Sequence, residues 1–137
     1  MANILVVANR TAESEELQQA LKERAEKGDE VKFTLVVPAS HGLAKAAGSD
    51  EGVPEAQGHV DKAVQKFREA GLEVEGRLGD PDPVAAVADA ANAESFDEVI
   101  VSTLPSHVSK WLHLDLPRKA AHATGLPVTH VVGSEVK

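Results

Sequence analysis

The apolar run at residues 4–8 constrains the fold more than any other part of this chain. It is too short for a helix, and its unbroken apolar character is typical of a strand buried on both faces of a parallel sheet. Two further strands are predicted at residues 31–37, ended by Pro38, and at residues 97–101. The sequence therefore predicts a sheet with this first strand at its centre.

Segments with helical periodicity separate the predicted strands. A first helix is expected to begin at a Thr11 cap and to end before Gly28, and a second to span residues 54–70. A third is expected to begin at an Asp80 cap, with Pro81 in its first turn. The positions predicted to face inward are Leu17, Ala20, Leu21 and Ala25 in the first helix, Val60, Ala63, Val64 and Phe67 in the second, and Val84, Val87, Ala88 and Ala91 in the third.

The remaining strands complete an α/β arrangement. Residues 72–78 alternate apolar and charged side chains, which is typical of a strand at the edge of a sheet, and residues 128–132 form the last strand. Strands that alternate with helices pair in parallel through right-handed crossovers. The prediction is one domain over residues 1–137: a Rossmann-like three-layer sandwich with a five-stranded parallel sheet in the order 3-2-1-4-5.

Composition excludes several classes of function. The 137 residues carry a formal charge of −8, which repels nucleic-acid phosphates and anionic lipid. There is no cysteine, so disulfides, thiolate metal sites and cysteine nucleophiles are excluded. No apolar run approaches the ~20 residues of a membrane span. We therefore expect a cytoplasmic protein with neither a nucleic-acid nor a membrane partner.

The histidines do not predict a metal or catalytic site. They are scattered, and none belongs to an H-E-x-x-H motif or another dense ligand cluster; they stand at positions 41, 59, 107, 113, 122 and 130. Serine and histidine residues also lack the spacing of a nucleophile and its base. We expect a protein that is not an enzyme, with a small hydrolase or phosphotransferase as the weaker alternative. His130 shares a strand face with Val128 and Val132, as a half-buried edge residue or part of a strand-pairing interface.

A candidate pocket follows from the predicted topology, because ligands in such sheets bind at the carboxyl ends of strands where the strand order reverses. The loops after the first and fourth strands carry an amide, a guanidinium, an ammonium and several hydroxyls that can contact an anion. The alternative is that the hydroxyls only cap a helix and that the turn residues are ordinary surface residues. The candidate residues are Ala8, Asn9, Arg10, Val37, Ser102, Thr103, Ser106, Ser109 and Lys110.

Two segments flank this candidate pocket. Residues 39–53 are rich in Gly, Ser and Ala and are read as an exposed connection, or alternatively as a cover for the pocket. The apolar residues from Trp111 to Leu116 predict a short helix that Pro117 ends, since a proline disfavours helical geometry in the residue before it. We expect this stretch to pack on the sheet, with a partner surface as the alternative.

The chain resembles the universal stress protein family over essentially its full length. The resemblance rests on the element order, on "GDPDPVAAVADAANAESFDEVIVST" leading into the fourth strand and on "GLPVTHVV" near the end of the chain. Nucleotide-binding members carry G-x-x-G, nine residues and then G-[ST] after the fourth strand. The same register here gives Ser102, Pro105, Asp115 and Leu116, so the spacing is kept and every defining residue is changed.

This resemblance implies a stress-response binding protein that forms a homodimer through its last strand. Relatives that bind nucleotide usually carry an aspartate after the first strand, where this chain has Asn9. Pro105 offers no N–H, and Asp115 places a negative charge in a glycine position. We expect a regulatory protein without tight ATP binding and without a required cofactor, whose remodelled pocket takes another small anionic ligand. The alternative is that ATP or AMP binds through backbone groups.

Overall fold

The computed structural model describes residues 2–8, 14–27, 30–38, 52–79, 82–103 and 115–133. Five strands form one sheet, in which every neighbouring pair is parallel. Their order is β3-β2-β1-β4-β5, so the predicted topology and the central position of the first strand are confirmed. The strands are β1 (Ala2–Val7), β2 (Val31–Pro38), β3 (Glu73–Gly79), β4 (Glu98–Thr103) and β5 (Val128–Val132).

Helices cover both faces of this sheet, which confirms the α/β class. In the described part of the chain these are α1 (Glu15–Glu26), α2 (Gly52–Glu69), α3 (Pro83–Ala93) and α4 (Leu116–Thr124). One core cluster contains side chains of α1 and α2, and the other contains side chains of α3 and α4. Strand β1 contributes to both, with Ile4 and Val6 on the first face and Leu5 and Val7 on the second.

Helix α2 is the helix that the sequence predicts best. All four inward positions, Val60, Ala63, Val64 and Phe67, are buried, and Gly71 follows the helix with a φ of +90°. The helix begins at Gly52, slightly before the predicted start, and residues 39–51 of the predicted connection lie outside the described residues.

Close packing of α2 on β3 depends on Gly76. A Cβ at this position would lie 2.5 Å from Cγ1 of Val60 and 2.5 Å from Cγ2 of Val64. Carbon atoms pack favourably only at about 3.5–4.0 Å, so any larger residue would force the Val60 and Val64 side chains, or α2 with them, to shift. Strand β3 is an edge strand, and its exposed Glu73 and Glu75 flank the buried Val74, as predicted.

The predicted starts of two helices are wrong. Helix α1 is capped by Ser14, whose hydroxyl accepts a hydrogen bond from the Leu17 N–H at 3.2 Å. Helix α3 is capped by Asp82, whose carboxylate accepts from the Val84 N–H at 2.9 Å, and Pro83 occupies its first turn. Both helices begin later than predicted, and the predicted cap residues Thr11 and Asp80, with Gly28 and Pro81, lie outside the described residues.

The buried face of α3 is displaced by one residue from the predicted face. Val87 is buried as predicted, but Val84, Ala88 and Ala91 are only partly buried. Ala86 and Ala90 take the core positions instead. The sequence "DPDP" offers the same cap signal twice, and α3 begins at the second copy.

The prediction that Pro117 ends a helix is also wrong. Leu116 is the first residue of α4, and Pro117 occupies the first turn. Proline is tolerated there because the N–H groups of a first turn have no intrahelical acceptor. Trp111, Leu112 and Leu114 lie outside the described residues, so the predicted short helix stays a prediction.

Thr34 lies in β2 beneath α3, on the face of the sheet that also holds Val36, and it is fully buried. Its hydroxyl has no hydrogen-bond partner among the described residues. Replacing Thr34 by valine keeps the shape and removes the unpaired hydroxyl, so the free energy of unfolding should rise by about 1–2 kcal/mol. Urea denaturation measures this change. Thr129→Val on the exposed strand β5 is the control, and a loss of stability in Thr34→Val would contradict the assignment.

Candidate functional site

The carboxyl ends of β2, β1 and β4 bring part of the predicted pocket together. The Ala8 N–H donates to the Val36 carbonyl at 3.2 Å, and Val7 pairs with Val101 in the register of β1 and β4. Four of the candidates therefore lie where the parallel strands end, which is the carboxyl edge of the sheet. All four are buried: Ala8, Val37, Ser102 and Thr103. The other candidates, Asn9, Arg10, Ser106, Ser109 and Lys110, lie outside the described residues.

Ser102 and Thr103 point to opposite faces of β4. Ser102 is 1% exposed and continues the face of Ile100 beneath α1, whereas Thr103 is 2% exposed and continues the face of Val101. Oγ1 of Thr103 lies 2.7 Å from Nε2 of His130, and the Thr103 carbonyl accepts from the Gly133 N–H at 2.8 Å. A ligand at this edge must therefore compete with bonds that already hold β4 to β5.

The contact between Thr103 and His130 was not predicted from the sequence. His130 was expected to be a half-buried edge residue or part of a strand-pairing interface, and its side chain is exposed. The distance between hydroxyl and imidazole is that of a nucleophile and its base. However, the buried Thr103 hydroxyl leaves a substrate little access, so this pair does not make a persuasive catalytic site.

Asp115 combines an unusual backbone conformation with an exposed carboxylate. Its φ and ψ are 57° and 44°, and it is the one non-glycine residue with a positive φ among the described residues. Aspartate tolerates this left-handed region better than most side chains, although glycine adopts it more readily. The carboxylate does not cap α4, and it lies 3.8 Å from Nη1 of the exposed Arg118.

The connection to β5 places Asp115 at the carboxyl edge of the sheet. Helix α4 leads through Gly125 into β5, which is parallel to β4, so α4 runs in the opposite direction to both strands. Its first turn therefore lies at the edge where β4 ends. The macrodipole of a helix favours anions at its first turn, and Asp115 already places a negative charge there.

Leu116 does not face this edge. Its side chain is fully buried in the core cluster that also contains Leu5, Val101 and Ala120. The resemblance places a serine or threonine at this position, and its hydroxyl is expected to serve the nucleotide. In this fold the side chain at position 116 is instead a packing residue.

The charged groups at the amino edge of the sheet are already paired. The Asn3 side-chain amide donates to Glu94 at 2.7 Å and holds the pKa of that carboxyl below its usual range, and the nearby Lys32 and Arg77 act in the same direction. Arg24 donates two hydrogen bonds to Glu98, at 2.9 and 3.2 Å, and these bonds raise the pKa of the Arg24 guanidinium. These contacts indicate a structural role.

The described residues form neither a metal-ion cluster nor a membrane-spanning helix. No group of three or more His, Asp or Glu side chains is placed to hold a metal ion within residues 2–8, 14–27, 30–38, 52–79, 82–103 and 115–133. Over the same ranges, no helix is long and apolar enough to cross a membrane.

Sequence comparison alone does not place this chain, since no protein-family model and no curated protein matches it. Solved structures do match its fold. The universal stress protein from Archaeoglobus fulgidus is 20% identical, covers 96% of this chain and 93% of its own, and gives a TM-score of 0.66. That protein is also solved in complex with dAMP, again with a TM-score of 0.66 and with coverage of 96% and 98%.

Two further universal stress proteins are similar. One, solved in complex with cAMP, is 17% identical over 97% of this chain and 98% of its own, with a TM-score of 0.64. Another, from Arabidopsis thaliana and with AMP bound, is 13% identical over 98% and 93%, also with a TM-score of 0.64. The chain therefore has the fold of the universal stress proteins.

Proposed function

We propose that this chain is a universal stress-like regulatory protein that binds a small anionic ligand at the carboxyl edge of its sheet and binds ATP weakly. The observation that carries the weak binding of ATP is Asp115, whose exposed carboxylate stands at the first turn of α4 and repels a highly charged triphosphate more than a ligand of lower charge. Solved proteins of this fold hold dAMP, cAMP or AMP, which supports a nucleotide-sized pocket. A binding role is favoured over a catalytic one because the described residues bring no accessible nucleophile and base together.

Electrostatic repulsion from Asp115 disfavours ATP at this edge of the sheet. Two like charges at ~4 Å repel by about 1 kcal/mol in water and by about 4 kcal/mol at an effective dielectric of 20. A triphosphate near Asp115 meets this repulsion in addition to the formal charge of −8 on the whole chain. A ligand with fewer phosphates meets less of this repulsion. AMP is therefore the alternative ligand, and one of the similar solved structures holds it.

Calorimetric titration of the protein with magnesium and ATP tests this proposal. Relative to a site with the family motif and an affinity for ATP of about one micromolar, this chain lacks two charge-assisted hydrogen bonds, each worth about 1.5–3 kcal/mol. Their loss weakens ATP binding by roughly two to four powers of ten. We therefore expect a dissociation constant in the millimolar range or weaker. A parallel titration with AMP tests the alternative ligand. A dissociation constant for ATP at or below about ten micromolar would contradict the proposal.

We further propose that the protein is cytoplasmic and forms a homodimer through β5. This strand is at one end of the sheet order, and Val132 is its exposed large apolar side chain, at 48%. An open edge strand offers unpaired backbone groups to another chain, and closed two-fold dimers are the commonest assemblies.

Val132→Glu is expected to abolish this dimer, because it places a carboxylate on the pairing edge. Little effect on folding is expected, since the side chain is exposed. Sedimentation velocity at tens of micromolar measures the assembly state. The control Val132→Thr keeps a neutral β-branched side chain and should remain dimeric, whereas a Val132→Glu protein that stays dimeric would argue against pairing through β5.

A further inference from the structure

Strand β3 ends the sheet on the side opposite β5, and no strand of the described residues lies beyond it. The hydrogen bonds between β1 and β2 show how the backbone of β2 is turned. The Ala8 N–H donates to the Val36 carbonyl at 3.2 Å, so Val36 and every second residue of β2 before it point towards β1. Phe33, three residues before Val36, therefore directs its backbone groups towards β3.

The register of β2 and β3 then shows which backbone groups point to the open edge. Phe33 lies beside Val74 in this parallel pair, and its N–H and C=O groups bond to the two residues that flank Val74 rather than to Val74 itself. Backbone groups alternate in direction along a strand, so the residues between these bonded ones point outward. The outward groups belong to Val74, Gly76 and Leu78.

The hydrogen bond from Arg68 agrees with this direction. Nε of Arg68, on α2, donates to the Val74 carbonyl at 3.0 Å. A side chain from outside the sheet therefore stands where the N–H group of an added strand would bond. The edge of β3 can accept such a donor, and Arg68 has to give way wherever a further strand pairs along it.

A groove of about 630 Å³ runs between α2 and this edge. Val64 and Gly76 form part of its apolar lining, because Gly76 has no side chain and α2 packs directly on its backbone. Two exposed carboxylates, of Asp61 and Glu69, also line the groove. Arg68 is the one cation among the described lining residues, so the groove carries more negative than positive charge.

The two faces of β3 favour different side chains in an added strand. Val74 and Gly76 face α2, whereas Glu73 and Glu75 are exposed and face the other side. The Glu75 carboxylate lies 3.1 Å from the Lys32 ammonium. Opposite charges on adjacent strands favour pairing and like charges oppose it, so a second copy of β3 would meet repulsion here. A strand with apolar residues on one face and basic residues on the other fits this edge.

We propose that β3 and α2 bind an extended segment of another protein, in which apolar residues alternate with lysine or arginine, as an additional strand of the sheet. Its apolar side chains pack towards Val64 and Gly76, and its basic side chains lie beside Glu73 and Glu75. Main-chain hydrogen bonds give such an added strand its affinity, and its alternate side chains give specificity. This surface goes beyond the proposed function, since it uses neither the carboxyl edge nor β5.

NMR titration of the isotope-labelled protein with an end-blocked hexapeptide of alternating lysine and valine tests this proposal. The amide signals of β3 and of the groove side of α2 should shift, with a dissociation constant of about one millimolar or below. A hexapeptide of alternating glutamate and valine should bind at least about tenfold more weakly. No shift at saturating peptide, or shifts confined to β5, would overturn the proposal.

Two controls separate strand pairing from other kinds of association. The lysine–valine peptide methylated on every backbone nitrogen keeps its charges but cannot donate a backbone hydrogen bond, so it should leave the β3 signals unchanged. Equal binding of the methylated peptide would overturn pairing with β3. Shifts of the same amide signals when the protein alone is concentrated would show that a second copy occupies this edge, which also contradicts the proposal.

Matched variants test the residues that carry the proposal. Glu73→Lys should weaken binding of the lysine–valine peptide at least about fivefold. Glu26→Lys makes the same charge change at an exposed position of α1, a helix that contacts β5, and should stay within about twofold of the unmodified protein. If the two variants bind the peptide equally, its basic residues do not lie beside Glu73 and the proposal fails.

Arg68→Ala is expected to bind the peptide at least about threefold more tightly than Lys62→Ala. Both variants remove one positive charge from an exposed position of α2, but only Arg68→Ala frees the Val74 carbonyl for the added strand. Equal affinities of these two variants would show that the peptide does not pair with β3 at Val74.

Discussion

Replacing Leu116 by serine is expected to lower the free energy of unfolding by about 4 kcal/mol. The substitution restores the hydroxyl residue that the resemblance places at this position, but the Leu116 side chain is fully buried in the core beneath α3 and α4. Truncating a buried leucine to alanine removes about 2–5 kcal/mol, and a buried hydroxyl without a partner adds to the loss. Urea denaturation measures the change.

Asp115→Gly is the matched control for this prediction. Asp115 is exposed, and its left-handed backbone suits glycine, so this variant should remain within about 1 kcal/mol of the unmodified protein. A Leu116→Ser protein as stable as Asp115→Gly would show that position 116 is not a core position. It would also reopen the idea that a hydroxyl there reaches the ligand.

The difference between these neighbours shows what a sequence register can and cannot predict. Counting from Ser102 places both residues in the family pattern, but the count does not say which side chain faces the ligand. The backbone conformation distinguishes the two side chains. Asp115 is left-handed and exposed before α4, and Leu116, the first residue of α4, is buried in the core. In this chain the position that the resemblance assigns to glycine is left-handed, and the position that it assigns to a hydroxyl residue is a core position.

The sheet could be predicted because its signals are strong and local. The apolar runs of β1 and β4 and the alternating pattern of β3 indicate central strands and an edge strand, and these patterns motivated the predicted strand order. Helix starts were less predictable because several residues offer similar caps. Ser14 caps α1 and Asp82 caps α3, whereas Thr11 and Asp80 are residues of types equally suited to that position.

The candidate site was only partly predictable, because its contacts join distant parts of the chain. The carboxyl ends of β1 and β4 could be named from topology, and Ala8, Val37, Ser102 and Thr103 do lie there. The bond between Thr103 and His130 depends on the register of β4 against β5, which no local pattern encodes. The left-handed Asp115 was likewise not evident from residue type alone.

The combined replacement of Ser102, Pro105 and Asp115 by glycine, with Leu116 retained, is expected to raise the affinity for ATP with magnesium by about a hundredfold. Asp115→Gly removes the negative charge and suits the left-handed backbone, and Pro105→Gly supplies an N–H for a phosphate, although Pro105 lies outside the described residues. One regained charge-assisted hydrogen bond and the lost repulsion together amount to about 3 kcal/mol, or roughly two powers of ten.

Keeping Leu116 is what makes this experiment interpretable, because the core beneath α4 stays intact and a change in binding is not confused with a loss of folding. Calorimetric titration gives the affinity, and urea denaturation of the same sample verifies that the variant is folded. The control Asp89→Asn removes one negative charge from an exposed position in the middle of α3 and should leave the affinity within about threefold of the unmodified protein. If the triple variant binds no more tightly than Asp89→Asn, the three substitutions are not what weakens ATP binding. The ligand of this edge would then have to be sought outside the nucleoside triphosphates.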